Sequence, residues 1–431
     1  MFTIGLSGRL FLQNYPTMTQ ECDRISIHDA WLQYRRHTGE AISDAKPFAS
    51  MWADAGIDPN NASMVMQMRP LWHKMLWHQV QRFGIEVSFD KRVVEYFEDP
   101  NREVAGVVTD RGERAEADVV LAADGVNSRS QDIVMPDGNK GRRSGRSVYR
   151  STYPLDLAMS DPLVKEYFGP RDGKYPDVQA WLGPDTHLVA LCYFDKDGNN
   201  GQMVWGITFF EKGEQTTKES WHQTVSSEDV IKTLRETPGW GEAVEAMVKA
   251  TPPDHIVEWP LIFRNPQPRW HSPAGRIIQV GDAAHTFLPT SGNGATQAIE
   301  DAVTIAECLK QAGKANIPTA VKTHNLLRFD RVSCAQRLGW ENDERFHKAD
   351  FSSGPIDLTK VQARVPKWIF THNPEQYAVE NYAKAAASVA DGTAFHNTNI
   401  PPGHVPTLWT MEEVLELEAE GKKFELSGDW S

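Results

Sequence analysis

An α/β fold is predicted for this chain: two strand–turn–helix stretches flank an inserted antiparallel-sheet domain, and a helical region closes the sequence. Three observations carry that expectation. The apolar run ADVVLAADG, Ala117 to Gly125, is a buried strand by length and composition. Between Arg146 and Phe263, longer segments alternate apolar and polar residues, as antiparallel strands with one face on a core do. After Gly275 the compact strand RIIQVGDAA leads into a turn and then a helical repeat.

The chain of 431 residues exceeds what one compact core usually supports, so two joined domains are expected. Hydrophobic residues at 40% and charged residues at 24% place it among folded globular proteins. A net charge of -13 repels phosphate backbones and anionic membrane surfaces, which argues against nucleic acid as a partner. Four cysteines, Cys22, Cys192, Cys308 and Cys334, have no paired spacing, and no HExxH is present. Neither a disulfide framework nor a metal site is signalled, and a reducing, cytoplasmic compartment is expected. No window approaches the roughly eighteen consecutive apolar residues that cross a bilayer, and no basic-then-apolar leader opens the chain, so neither membrane insertion nor export is expected. Nothing in the sequence sets the oligomeric state.

Residues 1–145 form the first part of the α/β domain. Within it PLWHKMLWHQVQRF, Pro70 to Phe83, places Trp72, Leu76, Gln79, Val80 and Phe83 at near-helical spacing, with Pro70 suited to the first turn and Gly84 to the cap. IEVSF, KRVVEYFE and EVAGVVTD then read as short strands ahead of ADVVLAADG. Residues 146–265 form the sheet domain, with DVQAWLG, HLVALCYF and MVWGITFF as strands and DKDGNNGQ as the turn between the last two. Residues 266–345 return to the α/β pattern, with a helix expected to bury Ala295, Ile299, Ala302, Val303, Ala306 and Leu309 on one face. Residues 346–431 are the helical C-terminal region, ending in the acidic MEEVLELEAEGKKFEL.

The turn GDAAHTFLPTSGNGATQAIEDA, Gly281 to Ala302, offers a carboxylate at a strand end and a glycine-bearing helix start. Asp282 is suited to accept hydrogen bonds from sugar-like hydroxyls. Gly292, Gly294 and Ala295 let a flat or phosphorylated ligand approach backbone N–H groups and the positive end of the helix dipole, and Pro289 stiffens the entry. Singly each is ordinary turn or cap chemistry; together they describe a ligand cradle.

This stretch resembles the second FAD fingerprint of the class A flavoprotein monooxygenases, the para-hydroxybenzoate hydroxylase and salicylate hydroxylase-like family. The resemblance runs from about Gln20 to His372 and implies a Rossmann-like FAD-binding domain with an inserted substrate sheet. It also implies that Gly281 and Asp282 reach the ribityl chain and that the loop Pro289 to Ala295 lies against the isoalloxazine ring. Asp124-Gly125 resembles the family's Asp-Gly motif, which touches FAD and bears on nicotinamide handling. The family's arginine beyond Ser128 is replaced here by Gln131, with Arg129 as the nearby substitute. Arg69 matches the arginine that reaches the FAD ribose or pyrophosphate region. His285 reads as a packed turn residue rather than a base.

The family opens with strand, GxGxxG and helix; here IGLSGRL, Ile4 to Leu10, has two glycines at the wrong spacing and is read as coincidence. QECDRISIHDAWLQYRRHTGEAIS already resembles the region after the first βαβ unit, so an N-terminally truncated or mis-set start is expected. Loss of that unit removes charge-assisted contacts worth about 1.5–3 kcal/mol each, so weak FAD binding is expected with it.

On the substrate side, Arg150 in SVYRSTYP and Tyr193 in LCYFDKDG fall near positions where fungal relatives acting on phenolic polyketides use an arginine and a tyrosine. An arginine there holds a phenolate and a tyrosine shapes or protonates the site; an ordinary salt bridge and a half-buried sheet aromatic remain the alternative. The resemblance implies FAD, NAD(P)H and O2 acting on an aromatic or polyketide-like small molecule, by hydroxylation or epoxidation. Dehydrogenation stands as a rival within the fold, and a cofactor-deficient binding or vestigial protein as a rival outside it.

Overall fold

Strands rich in alternating β-branched and aromatic residues need partners for both edges, and in the computed structural model seven of them find each other in one sheet. The structure describes residues 2–28, 30–50, 64–136, 138, 141–169, 177–212, 223–347, 354–364, 366–422 and 424–430. The short N-terminal strand β1 (Phe2–Ile4) is followed by helix α1 (Pro16–Ile25) and by strands β2 (Trp31–Arg36), β3 (Lys46–Pro47) and β4 (Val65–Gln67). Helix α2 (Arg69–Arg82) leads to β5 (Val93–Asp99), β6 (Val104–Thr109), β7 (Arg114–Ala117) and β8 (Val120–Ala122). The sheet domain supplies β9 (Arg142–Pro154), β10 (Asp177–Gly183), β11 (Thr186–Tyr193), β12 (Gln202–Phe210) and, after helices α3 (Ser227–Arg235) and α4 (Glu242–Lys249), β13 (Val257–Phe263). Strand β14 (Ile277–Gln279), helix α5 (Gly294–Ala312), the long α6 (Ile317–His347), α7 (Pro374–Asp391) and α8 (Met411–Ala419) complete it.

The large sheet has the order β13-β9-β12-β11-β10-β2-β3. Its pairings are antiparallel except for β10 with β2, and β2 and β3 come from the segment ahead of β9, so the sheet reaches beyond the residues 146–265 expected to form it because β10 offers them an open edge. Alternation divides its residues between two faces. The outer face, with Tyr149, Trp181, Leu188, Trp205 and Ile207, packs under α3 and α4 in the largest apolar core. The inner face carries Val178, Leu191, Tyr193 and Val204, which meet Ile27, Met66 and Met68. Arg150 lies on this face too, between outward Tyr149 and Ser151, with its guanidinium 4.6 Å from the Trp259 ring.

Two expectations fail. IEVSF forms no strand: Ile85, Val87 and Phe89 are 56%, 42% and 67% exposed, because among the described residues no neighbouring strand pairs with them. The apolar stripe expected to be buried on α5 is also displaced. Ala302 and Ala306 are exposed and Ile299 is half-buried, while Gln297, Glu300, Asp301, Thr304, Ile305 and Cys308 turn inward. Helix α6 reverses the polarity of the contact by presenting Arg328 and Arg331, both buried. Arg331 donates from Nε to Glu300 Oε2 (2.8 Å) and from Nη2 to Oε1 (2.9 Å), and Arg328 Nε donates to Asp301 Oδ1 (2.8 Å). Buried charge is tolerated where it is paired and hydrogen-bonded.

Burial also holds several histidines neutral. Desolvation lowers His187 to about 3 and His324 to about 4. A buried base with a lowered folded pKa contributes stability fully above its unfolded pKa, about 6.5, and loses it as pH falls toward the folded value. Glu300 and Asp301, also held low, respond only below the ordinary carboxylate range. Between about pH 6.5 and 4.5 the histidines therefore set the slope, roughly 1.4 kcal/mol per pH unit for each. Urea unfolding at pH 7 and pH 5 should show this loss, and His324→Gln should flatten it.

Candidate functional site

Strands β8 and β14 run parallel, with Ile277 opposite Val120 and Gln279 opposite Ala122. Their carboxyl ends deliver Asp124-Gly125 and Gly281-Asp282 side by side, at the edge where open α/β sheets take ligands. The two motifs are tied together by Arg264, which is buried: Nη1 donates to the Ala283 carbonyl and Nη2 to the Val126 carbonyl, each at 2.7 Å. Gly125 has φ +83° and Gly281 φ +57°, conformations that side-chain-bearing residues rarely adopt. Asp124 approaches the Tyr96 phenol, whose pKa is raised first by burial and then by this carboxylate.

The turn after Asp282 is held from below. Asp301 Oδ2 accepts from the Gly281 N–H at 2.9 Å and from His285 Nε2 at 2.7 Å, which confirms His285 as a packed turn residue. Gln336 on α6 donates to the Thr286 carbonyl at 2.8 Å. Pro289–Ser291 form a single 3-10 turn, Gly292 follows in the left-handed region at φ +59°, and α5 starts at Gly294. Asn293 precedes that start, yet its amide turns back to the Ser291 carbonyl (2.7 Å) and makes no cap bond. The first-turn amides of Gly294 and Ala295 therefore lack a side-chain cap, which leaves the positive helix end available to an electronegative ligand edge.

Asp282 is exposed, yet desolvation raises its pKa, with His285, Arg69 and Arg264 pulling the other way. A carboxylate both reachable and surrounded lies in a crevice rather than on a convex surface. Among the described residues no protein group hydrogen-bonds it. Arg69, the first residue of α2, is exposed and close enough for its charge to act on Asp282. Pro289 and Gly292 are exposed at the crevice rim.

Several residues of this site were not legible in the sequence. Arg264 and Gln336 carry no motif. Gly339 in the middle of α6 reads as a flaw in a helix, but a Cβ there would stand 2.7 Å from Ser291 Cβ, and its carbonyl accepts from Thr290 Oγ1 at 3.0 Å. Gly339→Ala is expected to push the Pro289–Ser291 turn out of place, to cost about 1–3 kcal/mol, and to reduce flavin retained through gel filtration. Asp301 had a visible signal, the acidic pair Glu300-Asp301 on α5 together with two arginines three apart, Arg328 and Arg331, on α6. IGLSGRL packs against the cradle turn and the start of α5. It forms 3-10 turns instead of an α-helix, the Gly5 N–H donates to Thr296 Oγ1 at 3.1 Å, and Thr3 Oγ1 donates to the Gly292 carbonyl at 3.0 Å. Gln131 does not replace an arginine's charge. Its amide is spent on Gln267 (2.8 Å) and Gln279 (3.0 Å), and Arg129 is exposed.

Arg150 and Tyr193 share the inner face of the large sheet. Tyr193 is fully buried, its pKa is pushed up to about 12 by desolvation, and its hydroxyl donates to the Ile25 carbonyl at 2.9 Å.

Residues 34–320 match the FAD binding domain family. The chain is 38% identical over 424 residues to the FAD-dependent monooxygenase dmxR9 of Cryptosporiopsis sp., covering 97% of this chain and 80% of that one. It is 38% identical over 434 residues to the FAD-dependent monooxygenase fsr3 of Gibberella fujikuroi, covering 99% and 81%. The chain belongs to the class A FAD-dependent monooxygenases. Solved structures agree on the fold: CtdE in complex with FAD and substrate 4 has a TM-score of 0.79 at 24% identity, with 90% of both chains covered. A salicylate hydroxylase substrate complex has a TM-score of 0.68 at 20% identity, covering 89% of this chain and 90% of that one. No described helix is long and apolar enough to cross a membrane.

The residues present fit FAD. An accessible carboxylate without a protein partner suits ribityl hydroxyls, the uncapped α5 start suits the electron-rich edge of a flavin ring, and Arg69 suits phosphate.

Proposed function

We propose that this protein is an NAD(P)H- and O2-dependent FAD monooxygenase that hydroxylates or epoxidises an aromatic or polyketide-like small molecule in specialised metabolism, in the cytoplasm. The carrying observation is the parallel β8–β14 pair, which sets Asp124-Gly125 beside Gly281-Asp282 under the uncapped start of α5. When bound and reduced by a nicotinamide, FAD supplies the activated oxygen atom drawn from O2.

The chain's own residues bind, orient and dry. Asp282 would hold the ribityl hydroxyls, the Gly294 and Ala295 amides would donate to the electron-rich edge of the ring, and Arg69 and Gly125 would border the cradle. Arg150 on the inner face holds a phenolate oxygen, which raises electron density on the substrate ring. Tyr193 shapes the wall rather than moving a proton, since its hydroxyl is bound to Ile25. Leu191 and Val204, buried on the same face, would help to keep water from the substrate. The fungal relatives' names support the reading, and the four buried free cysteines accord with a reducing compartment.

Incorporation of labelled oxygen from O2 into product tests the reaction class: product oxidised without label would leave dehydrogenation instead. Asp282→Ala should weaken FAD binding by about 10- to 150-fold, as read by titration of the flavin absorbance. A second reading, a cofactor-deficient binding protein, is favoured by the exposure of the apolar residues Ile85, Val87, Phe89 and Leu121. A purified chain with neither bound nor restorable yellow chromophore would establish it.

A further inference from the structure

Helix α6 and the C-terminal segment enclose a second pocket of about 110 Å3, lined in part by Ser333, Arg337, Leu408, Trp409, Leu426 and Trp430. It does not share the cradle's face of α6. Gln336 grips the cradle turn, and Arg337, one residue on, is rotated by about 100° around the helix.

We propose that this pocket binds a short-chain carboxylate, with its anionic head on Arg337 and its apolar tail among Leu408, Leu426 and Trp430. Arg337 is 5% exposed, and neither its Nε nor its Nη1 has a hydrogen-bond partner. A buried guanidinium with idle donors is a costly arrangement that an acceptor relieves. Its plane is held ready by aromatic neighbours, 4.9 Å from the Phe424 ring and 5.7 Å from the Trp409 ring. The acids nearby do not take its donors. Glu341 stands 3.7 Å from Nε, beyond hydrogen-bonding reach, and its other oxygen accepts from Arg364 at 2.9 Å. Asp330 accepts from Asn397 at 2.9 Å. Burial pulls the Arg337 pKa down despite Glu341, Glu344 and Glu418. Ser333 Oγ accepts from Trp409 Nε1 at 3.1 Å, which leaves its own proton as one more donor.

Size and polarity narrow the ligand. A cavity of about 150 Å3 holds the six heavy atoms of benzene, so about 110 Å3 takes roughly four, and the end of a short chain lies at the open rim. Leu408, 65% exposed, marks the open rim.

The test titrates the intact chain with sodium butyrate at pH 7 by calorimetry or saturation-transfer NMR, beside butyramide, its uncharged counterpart. Saturable single-site binding of butyrate, with butyramide at least about tenfold weaker, is expected. Arg337→Met should weaken butyrate at least about tenfold. Leu408→Asp, at an exposed position with no part in the core, should weaken it by like-charge repulsion, and it decides the matter should the arginine variant misfold. Absence of saturation, equal binding of the amide, or butyrate affinity unchanged in the folded variants would overturn the proposal. None of these readouts depends on flavin, so failure here leaves the monooxygenase reading untouched.

Discussion

Replacing Arg328 with methionine is expected to destabilise the protein by about 3–5 kcal/mol, a large share of the roughly 5–15 kcal/mol that holds a typical domain folded. The reason is electrostatic rather than steric. Arg328 and Asp301 are 1% and 0% exposed, and their contact at 2.8 Å is one strand of a network that also holds Glu300, Gln297 and Arg331. Removal of the cation leaves Glu300 and Asp301 in a dry interior, each with one of its partners gone. Because Asp301 also holds the Gly281 amide and His285, the damage reaches the cradle, and flavin retention should fall with stability. Urea unfolding midpoints of the parent and variant measure the first effect, and flavin content per chain the second. An unchanged midpoint would show that the buried network is not what anchors α5 to α6.

The second large effect is catalytic. Arg150→Met should lower kcat/KM for an aromatic substrate by about 100-fold or more, with flavin content and unfolding midpoint nearly unchanged. Arg150 stacks on Trp259 on the inner face of the sheet, on strand β9 rather than on any loop of the cradle. On the proposed reading its loss would remove charge stabilisation of a phenolate without touching Asp282 or the start of α5. Arg150→Lys should recover part of the rate, since the charge returns without the planar fork. Loss of flavin in the methionine variant would instead assign Arg150 a structural role.

The two predictions separate what local sequence encodes from what it does not. Gly281-Asp282, the glycines before α5 and Asp124-Gly125 were legible because backbone chemistry leaves a local mark. A left-handed turn demands glycine at 125 and 292, a strand end demands apolar residues before it, and the strands of the large sheet announce themselves by alternation. The residues that lock those motifs together were not legible. Arg264 bridges Val126 and Ala283, and Gly339 makes room for Ser291. Each acts on a partner distant in the chain, and its side chain gives no periodic signal.

The inversion of α5 shows the same division. Its sequence carries an apolar stripe through Ala302 and Ala306, and hydrophobic periodicity alone buries that stripe. The folded chain buries Glu300 and Asp301 instead, because α6 brings Arg328 and Arg331 to meet them. Ile85, Val87 and Phe89 likewise have the alternation of a strand but no paired neighbour among the described residues. The sequence by itself determined the fold class, most strands of the large sheet and the glycine-bearing turns, since these depend on backbone conformation and local pattern. Tertiary structure alone decided which helix face is buried, which cation joins the two motifs and which way Arg150 looks, because paired charges and shared strand edges exist only once distant segments meet.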